Sequence, residues 1–216
     1  MTAAIRYEIG SSNPLKHLYD VTMTIEQPEA VQMVSLPVWI AGSYMVREFS
    51  KHLQGLKARQ GRRHCDTTQL NKNTWSIVCK PGQALTLSYQ VYAFDPSVRA
   101  AFLDDQRGFF NGTSLCLRAH GHDDQPHELT LTPPRGSQGW RVATALHALR
   151  TDARGWGSYR AADYDELVDT PVEMGHFWTG EFLSCGVKHR LVVTGALPSF
   201  DGARLLADTE RICTAA

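Results

Sequence analysis

The chain has 216 residues and carries 22 acidic and 22 basic side chains, so its formal net charge is zero. This balance argues against nucleic acid as a partner, because proteins that bind nucleic acid usually carry a clustered basic excess. The length suffices for one sizeable domain, and no linker divides it. A single domain over residues 1–216 is therefore expected.

The amino terminus lacks the basic stretch and apolar run of a secretory signal, and no apolar run is long enough to span a bilayer. The sequence therefore predicts no membrane partner. The five cysteines are scattered, and no Cys-x-x-Cys pair occurs. Free thiols in a reducing compartment fit this pattern best, which predicts a cytoplasmic location.

Apolar and polar residues alternate with a period of two along much of the chain, which predicts β-strands. The clearest alternating runs are residues 5–9, 19–25, 75–79 and 85–91. Later candidates are residues 115–117, 129–131, 142–145 and 191–194. Proline and glycine turns separate these runs at short intervals. The pattern predicts a mainly β fold, an antiparallel β-sandwich or saddle.

Helical signals are few. Residues 163–168 place acidic side chains in a first turn, which the helix dipole favours, and Pro171 closes this short helix. A second helix is predicted to open at Asp201 and to run to the end of the chain without a C-cap. Because helices usually end with a stop signal, we expect the natural polypeptide to continue.

Two segments have an incomplete catalytic motif. His127-Glu128-Leu129-Thr130-Leu131 resembles the zinc peptidase motif His-Glu-x-x-His, but Leu131 stands where the second ligand is needed. Ser43 lies in half of a nucleophile elbow, and Met45 replaces the second glycine. We therefore expect no catalytic residue in this chain.

A histidine-rich stretch contains His120, His122 and His127, together with Asp123 and Asp124. Three imidazoles and two carboxylates within eight residues could hold a transition metal. The nearby glycine and proline favour a polar loop between two strands. The sequence therefore predicts no metal ligands and no cofactor, and a metal-binding module stays a weaker alternative.

Six groups of segments, in order, carry a family resemblance. They are residues 36–44, 46–49, 89–95 with 97–99, 109–115, 140–145 and 164–173, with Leu-Pro-Val-Trp-Ile-Ala-Gly-Ser-Tyr and Phe-Phe-Asn-Gly-Thr-Ser-Leu among them. In this order and spacing the chain resembles the amino-terminal domain of the glycyl aminopeptidase family, which are thermolysin-like zinc metallopeptidases. The resemblance covers essentially the whole chain.

The resemblance implies a longer protein in which a β-rich amino-terminal domain precedes a zinc-binding catalytic domain and, often, a PDZ-like domain. The zinc and the catalytic residues would then lie beyond Ala216. It also implies that the parent protein removes amino-terminal glycine or alanine from peptides. This chain would form one wall of the peptide cleft, with its own catalytic domain and short peptides as partners.

The loop of residues 107–114 is the best candidate for contact with substrate. Its glycines allow close backbone approach, and Asn111, Thr113 and Ser114, flanking Gly112, can hydrogen-bond a peptide. A tight turn without a ligand is the alternative, because Asn-Gly often marks a hairpin.

Tyr44 and Arg99 are further candidates for substrate contact. The Tyr44 ring could instead pack in the core, and Arg99 could pair with Asp95 or Asp104. The aromatic residues Trp39, Trp75 and Trp140 are predicted to lie in the core.

A different class of protein fits the same residues. The chain could be a stand-alone β-sandwich that binds a peptide or protein and catalyses nothing. The two hypotheses differ in what the gene encodes after Ala216. An in-frame His-Glu-x-x-His motif would favour the peptidase, whereas a stop codon would favour the binding module.

Overall fold

The computed structural model describes residues 4–215. These residues form two compact units, of which the first ends at Met174 and the second begins at Gly175. The single domain expected over residues 1–216 stays a prediction.

The first unit consists mainly of short strands. The strands are β1 (Ile5–Gly10), β2 (Leu18–Ile25), β3 (Val31–Ser35), β4 (Leu53–Gln60), β5 (Arg63–His64), β6 (Thr67–Asn71), β7 (Thr74–Val78), β8 (Leu85–Tyr92), β9 (Ala101–Leu103), β10 (Arg107–Phe110), β11 (Arg118–Ala119), β12 (His127–Leu131), β13 (Arg141–Thr144), β14 (His147–Thr151), β15 (Gly157–Ala161) and β16 (Val172–Gly175). Its α-helices are α1 (Gly112–Leu115) and α2 (Tyr164–Asp169). Two 3₁₀ turns lie at Pro14–Lys16 and Phe49–His52.

These strands form three sheets. The largest has eight strands in the order β14-β15-β12-β1-β2-β8-β4-β5, and the others have the orders β13-β16-β10-β9 and β11-β3-β7-β6. Strand β1 pairs in parallel with β12 and antiparallel with β2. The mainly β, largely antiparallel fold that the alternation predicted is confirmed.

The core lies on one face of the large sheet. Tyr7 pairs with Met23, which pairs in turn with Leu87, and all three side chains are fully buried. Alternate residues of the same strands are more exposed, because successive side chains on a strand point to opposite faces. The alternation in the sequence therefore identified the core face correctly.

Helix α2 begins where the sequence predicted it. The Asp163 carboxylate accepts a hydrogen bond from Glu166 N at 2.8 Å, and the Glu166 carboxylate accepts one from Ala162 N at 2.5 Å. Such reciprocal capping satisfies backbone donors that a helix start otherwise leaves unpaired.

Two expectations were wrong. Residues 115–117 form no strand; Leu115 ends α1, and the next two residues are irregular. The carbonyls of this segment accept hydrogen bonds from tyrosine side chains instead of a strand partner. Trp39 is 53% exposed, whereas Trp75 and Trp140 are buried as predicted.

The second unit contains a hairpin of β17 (Phe177–Ser184) and β18 (Val187–Thr194), followed by α3 (Gly202–Ala215). Helix α3 starts one residue after Asp201, as the sequence predicted. Gly202 lies close against the Trp178 ring, where a Cβ would be 2.4 Å from a ring carbon. None of the helices described in residues 4–215 combines the length and apolar composition needed to cross a bilayer.

Candidate functional site

A cavity of about 200 Å³ lies in the first unit. Its sides come from the 3₁₀ turn Phe49–His52, from the end of β8, and from the loop of residues 94–101. Ser114 of α1 also lines it. The cavity thus brings together Ser114 and Arg99, which the sequence proposed separately, 15 residues apart.

Aromatic rings support one side of this cavity. The Phe94 ring lies 3.9 Å from the His17 ring and stacks on Phe102 at 5.3 Å, measured between centroids. The Arg107 guanidinium lies over the Phe102 ring at 5.3 Å, and its Nε is 3.5 Å from a Glu173 oxygen. These contacts hold the start of the loop on the sheet.

Side chains hold the rest of that loop. Asp95 Oδ1 accepts a hydrogen bond from Ser97 N at 2.9 Å, and Ser97 Oγ accepts one from Arg99 N at 3.2 Å. Asn111 Nδ2 donates to Val98 O at 2.6 Å. Asn111 therefore uses its amide nitrogen to tie α1 to the loop rather than offering it to a ligand.

Three buried tyrosines hold the segment of residues 111–117, which we call the floor segment. Tyr89 Oη donates to Leu115 O at 2.6 Å, Tyr164 Oη to Cys116 O at 2.8 Å, and Tyr7 Oη to Leu117 O at 2.7 Å. Leu117 N donates back to Tyr89 Oη at 3.2 Å. Three consecutive carbonyls are thus fixed from three different elements.

Burial keeps these groups neutral. It raises the pKa of each of the three tyrosine hydroxyls, and it raises the pKa of the Cys116 thiol. Desolvation is the main cause, because a low-dielectric surrounding disfavours the charged form. The tyrosines therefore remain hydrogen-bond donors, and Cys116 is not a nucleophile.

Two hydroxyls of the floor segment have no partner. Thr113 and Ser114 are 3% and 4% exposed, and within residues 4–215 neither hydroxyl oxygen has a hydrogen-bond partner. A buried hydroxyl without a partner costs about 1–3 kcal/mol. A buried polar group without a partner is rare in folded proteins, and a bound water, ion or ligand is one explanation for it.

Gly112 allows a close approach, but to α2 rather than to a peptide. A Cβ on Gly112 would lie 2.8 Å from Leu167 O and 2.9 Å from Val168 Cα. The glycine that the sequence assigned to substrate contact therefore lets α1 and α2 pack together. This packing supports the floor segment from below.

The cavity carries an excess of positive charge. Arg47, Lys51 and Arg99 line it, and so do two acidic residues, Glu48 and Asp95. The Glu48 carboxylate already pairs with Lys72. No ion pair involves Lys51 or Arg99 in the part of the chain that the structure describes. The proposed pairing of Arg99 with Asp95 or Asp104 is therefore wrong.

His52 also lines the cavity. Burial lowers its pKa, the charge of Lys51 lowers it further, and Asp95 raises it. The neutral imidazole is therefore favoured near pH 7.

Residues 38–47 form an exposed loop next to the cavity, which we call the rim loop. Tyr44 is fully exposed, and Met45 and Val46 are 64% and 66% exposed. Ser43 organises the loop locally: its backbone carbonyl accepts from Trp39 Nε1 at 2.6 Å, and its Oγ accepts from Arg47 Nε at 3.2 Å. Tyr44 thus does not pack in the core, and it does not line the cavity.

The histidine-rich stretch does not form a metal centre. His120 Nε2 lies 2.8 Å from Ser35 Oγ, and His127 Nδ1 lies 2.7 Å from Gln125 O. The His127 ring also stacks on Tyr7. Within residues 4–215 no group of three or more His, Cys, Asp or Glu side chains could hold a metal ion. The residues described here therefore do not fit a zinc site.

Sequence reasoning missed part of this site. Arg47 lies within a segment that carries the family resemblance, and Lys51 lies two residues after it, so a search for basic residues there would have found them. Tyr7, Tyr89 and Tyr164 act across 26 to 110 residues of sequence, and no local pattern marks such contacts.

Comparison with known families decides the relationship. The family model described as the Peptidase M61 N-terminal domain matches residues 6–176. The chain belongs to this family. The match ends two residues after the first compact unit does. No curated protein matches the sequence.

Solved structures agree with this membership. The chain is 41% identical to an aminopeptidase N family protein from Idiomarina loihiensis, with a TM-score of 0.93. This match covers 97% of the chain. It shares the fold of an M1 zinc metallopeptidase from Deinococcus radiodurans over 97% of its length, at 13% identity and a TM-score of 0.51. Yeast LTA4 hydrolase with bestatin gives 9% identity over 99% of the chain and a TM-score of 0.53.

The chain spans only part of each of these proteins. It covers 35% of the Idiomarina loihiensis protein, 51% of the Deinococcus radiodurans protein and 33% of the yeast enzyme. The similarity is therefore to one region of longer proteins.

Proposed function

We propose that this chain is the non-catalytic amino-terminal domain of a longer cytoplasmic zinc aminopeptidase, and that it forms one wall of the peptide cleft. Membership of the M61 amino-terminal domain family supports the first part. The observation that carries the second part is the pair of buried, unpartnered hydroxyls on Thr113 and Ser114. In this proposal they donate hydrogen bonds to a bound peptide.

The remaining residues of the site have supporting roles. Asn111 and Gly112 fix the floor segment through Val98 O and α2. Arg99 presents charge at the cavity, and exposed Tyr44 contacts the peptide or the catalytic domain from the rim loop. The zinc belongs to the catalytic domain, and the parent enzyme removes amino-terminal glycine or alanine.

Kinetics of the longer polypeptide test this function. Replacing Thr113 or Ser114 by alanine removes one hydrogen bond, which should cost about 0.5–1.5 kcal/mol, or up to about tenfold in kcat/KM. Glycyl and alanyl chromogenic amides are suitable substrates. If both variants fold and keep the parental kcat/KM, these hydroxyls do not hold the peptide.

The 216-residue chain itself provides a second test. With zinc added, it should hydrolyse none of these amides above the blank, since the described residues offer no metal cluster. Metal-dependent turnover by this chain would contradict the proposal.

A stand-alone binding module is the second candidate. The exposed apolar side chains of Trp39, Tyr44, Met45 and Val46 favour it, because exposed apolar patches often mark protein contacts. The coding sequence after codon 216 separates the two. An in-frame His-Glu-x-x-His motif supports the peptidase, and an immediate stop codon supports the module.

A further inference from the structure

We infer that the cavity is a carboxylate subsite, which binds the carboxyl terminus of a short peptide. This inference rests on the proposed function and deepens it by naming the chemical group that the wall recognises.

Charge is the first argument. Lys51 and Arg99 line the cavity and form no ion pair within residues 4–215. The third cation, Arg47, uses its Nε on Ser43 Oγ. Of the two acids, Glu48 is paired with Lys72, and Asp95 Oδ1 accepts from Ser97 N. A backbone hydrogen bond does not cancel the charge of Asp95, but three cations line the cavity against this one carboxylate that has no ion pair within residues 4–215. The net charge that faces a ligand is therefore positive, and it calls for an anion.

Hydrogen bonding is the second argument. Ser114 lines the cavity at 4% exposure, and no partner for its hydroxyl exists among the described residues. A hydroxyl can donate to a carboxylate oxygen, and an arginine guanidinium can donate to both oxygens of one carboxylate. Together these groups offer a neutral and a charged donor to one anion.

Shape is the third argument. Phe49, Val91, Phe94 and Ala101 supply apolar surface beside these donors. The volume of about 200 Å³ is below the range of about 300–1,000 Å³ that holds drug-sized ligands. The cavity therefore suits one terminal residue with its carboxylate, and not a long peptide or a polyanion.

The test titrates the 216-residue chain with three peptides, followed by the backbone amide signals of Phe49, Ala101 and Ser114. The peptides are tri-alanine, its carboxyl-terminal amide, and Ala-Asp-Ala amide. Tri-alanine should shift these signals, whereas tri-alanine amide should bind much more weakly. The third peptide distinguishes a terminal carboxylate from an acidic side chain, and inorganic phosphate shows whether any anion suffices.

Variants assign the binding to the cavity. Arg99→Gln and Lys51→Gln should each raise the Kd for tri-alanine about two- to fivefold, since both side chains are partly solvated. Ser114→Ala should raise it about three- to tenfold. Arg63→Gln is the matched control, because Arg63 is exposed on β5 and lies outside the cavity. Arg63→Gln should leave the Kd for tri-alanine unchanged. Added salt should weaken the binding of tri-alanine to the parental chain, because salt screens the charges.

Each remaining outcome overturns the inference. If tri-alanine and its amide shift the same signals with equal affinity, the cavity binds peptide but does not recognise a carboxylate. This result would contradict the carboxylate subsite and would leave the proposed role as a cleft wall intact. If phosphate binds as well as tri-alanine, or Ala-Asp-Ala amide binds better, the terminal carboxylate is the wrong ligand. If no peptide shifts these signals, the subsite is absent, and the kinetic test of Thr113 and Ser114 still judges the proposed function.

Discussion

The floor segment and the rim loop lie beside the same cavity and are built in opposite ways. The floor segment is buried and held by tyrosines from three distant elements. The rim loop is exposed, and its hydrogen bonds run within ten residues, largely through Ser43. A rigid floor can fix the position of a ligand, whereas the sequence of an exposed loop can change at little cost to the stability of the fold.

This comparison predicts its largest effect for Tyr89. Tyr89→Phe leaves the Leu115 carbonyl and the Leu117 amide without their side-chain partner, inside the core. We expect a loss of about 2–4 kcal/mol in the free energy of unfolding, from two buried polar groups. Tyr44→Phe is the matched control on the rim loop and should change it by less than about 0.5 kcal/mol. Urea titration of both variants measures the two changes in the free energy of unfolding. Equal changes for Tyr89→Phe and Tyr44→Phe would contradict the prediction.

Gly112 gives the next largest effect. Gly112→Ala places a Cβ 2.8 Å from Leu167 O, so α1 or α2 must move. We expect a loss of about 1–3 kcal/mol from this overpacking. Thr113→Ala, at the neighbouring buried position, adds no atoms and causes no clash, so it should destabilise less than Gly112→Ala, by no more than the loss of one buried methyl group. An unchanged melting temperature for Gly112→Ala would show that the two helices do not need this close contact.

Acid should destabilise the chain through His127, which packs against two of the tyrosines that hold the floor segment. His127 packs against Tyr7 and Tyr164, and burial lowers its pKa. The unfolded chain then binds more protons than the folded chain between the lowered pKa and the usual value of about 6.5. The stability that neutral His127 contributes is therefore fully present above the usual pKa of histidine. It is lost as the pH falls through the lowered pKa that His127 has in the folded chain.

Unfolding at pH 7 and pH 5 measures this dependence. The parental chain should be less stable at pH 5, and His127→Phe, which keeps a ring in place, should show a smaller difference. Burial also lowers the pKa of His52 and His120, so part of the difference should remain. A chain equally stable at both values, or a variant with the parental difference, would contradict this role of His127.

The sequence predicted the strands of the core better than it predicted the floor segment. The alternation at Tyr7, Met23 and Leu87 identified the core face, because strand periodicity is a local property. The same rule wrongly predicted a strand at residues 115–117, since the carbonyls there bond to distant tyrosines. Ser114 and Arg99 were proposed from their chemistry. Their meeting in one cavity depends on the sheet order, which periodicity does not specify.

Ser114→Ala tests the central claim most directly, with both properties measured on one variant. If its unpartnered hydroxyl is kept for a ligand, the variant should be as stable as the parental chain or more stable by up to about 1 kcal/mol, because the desolvation cost disappears. It should at the same time bind tri-alanine about three- to tenfold more weakly. A destabilised variant with parental affinity would show that the hydroxyl serves the fold and would contradict the account.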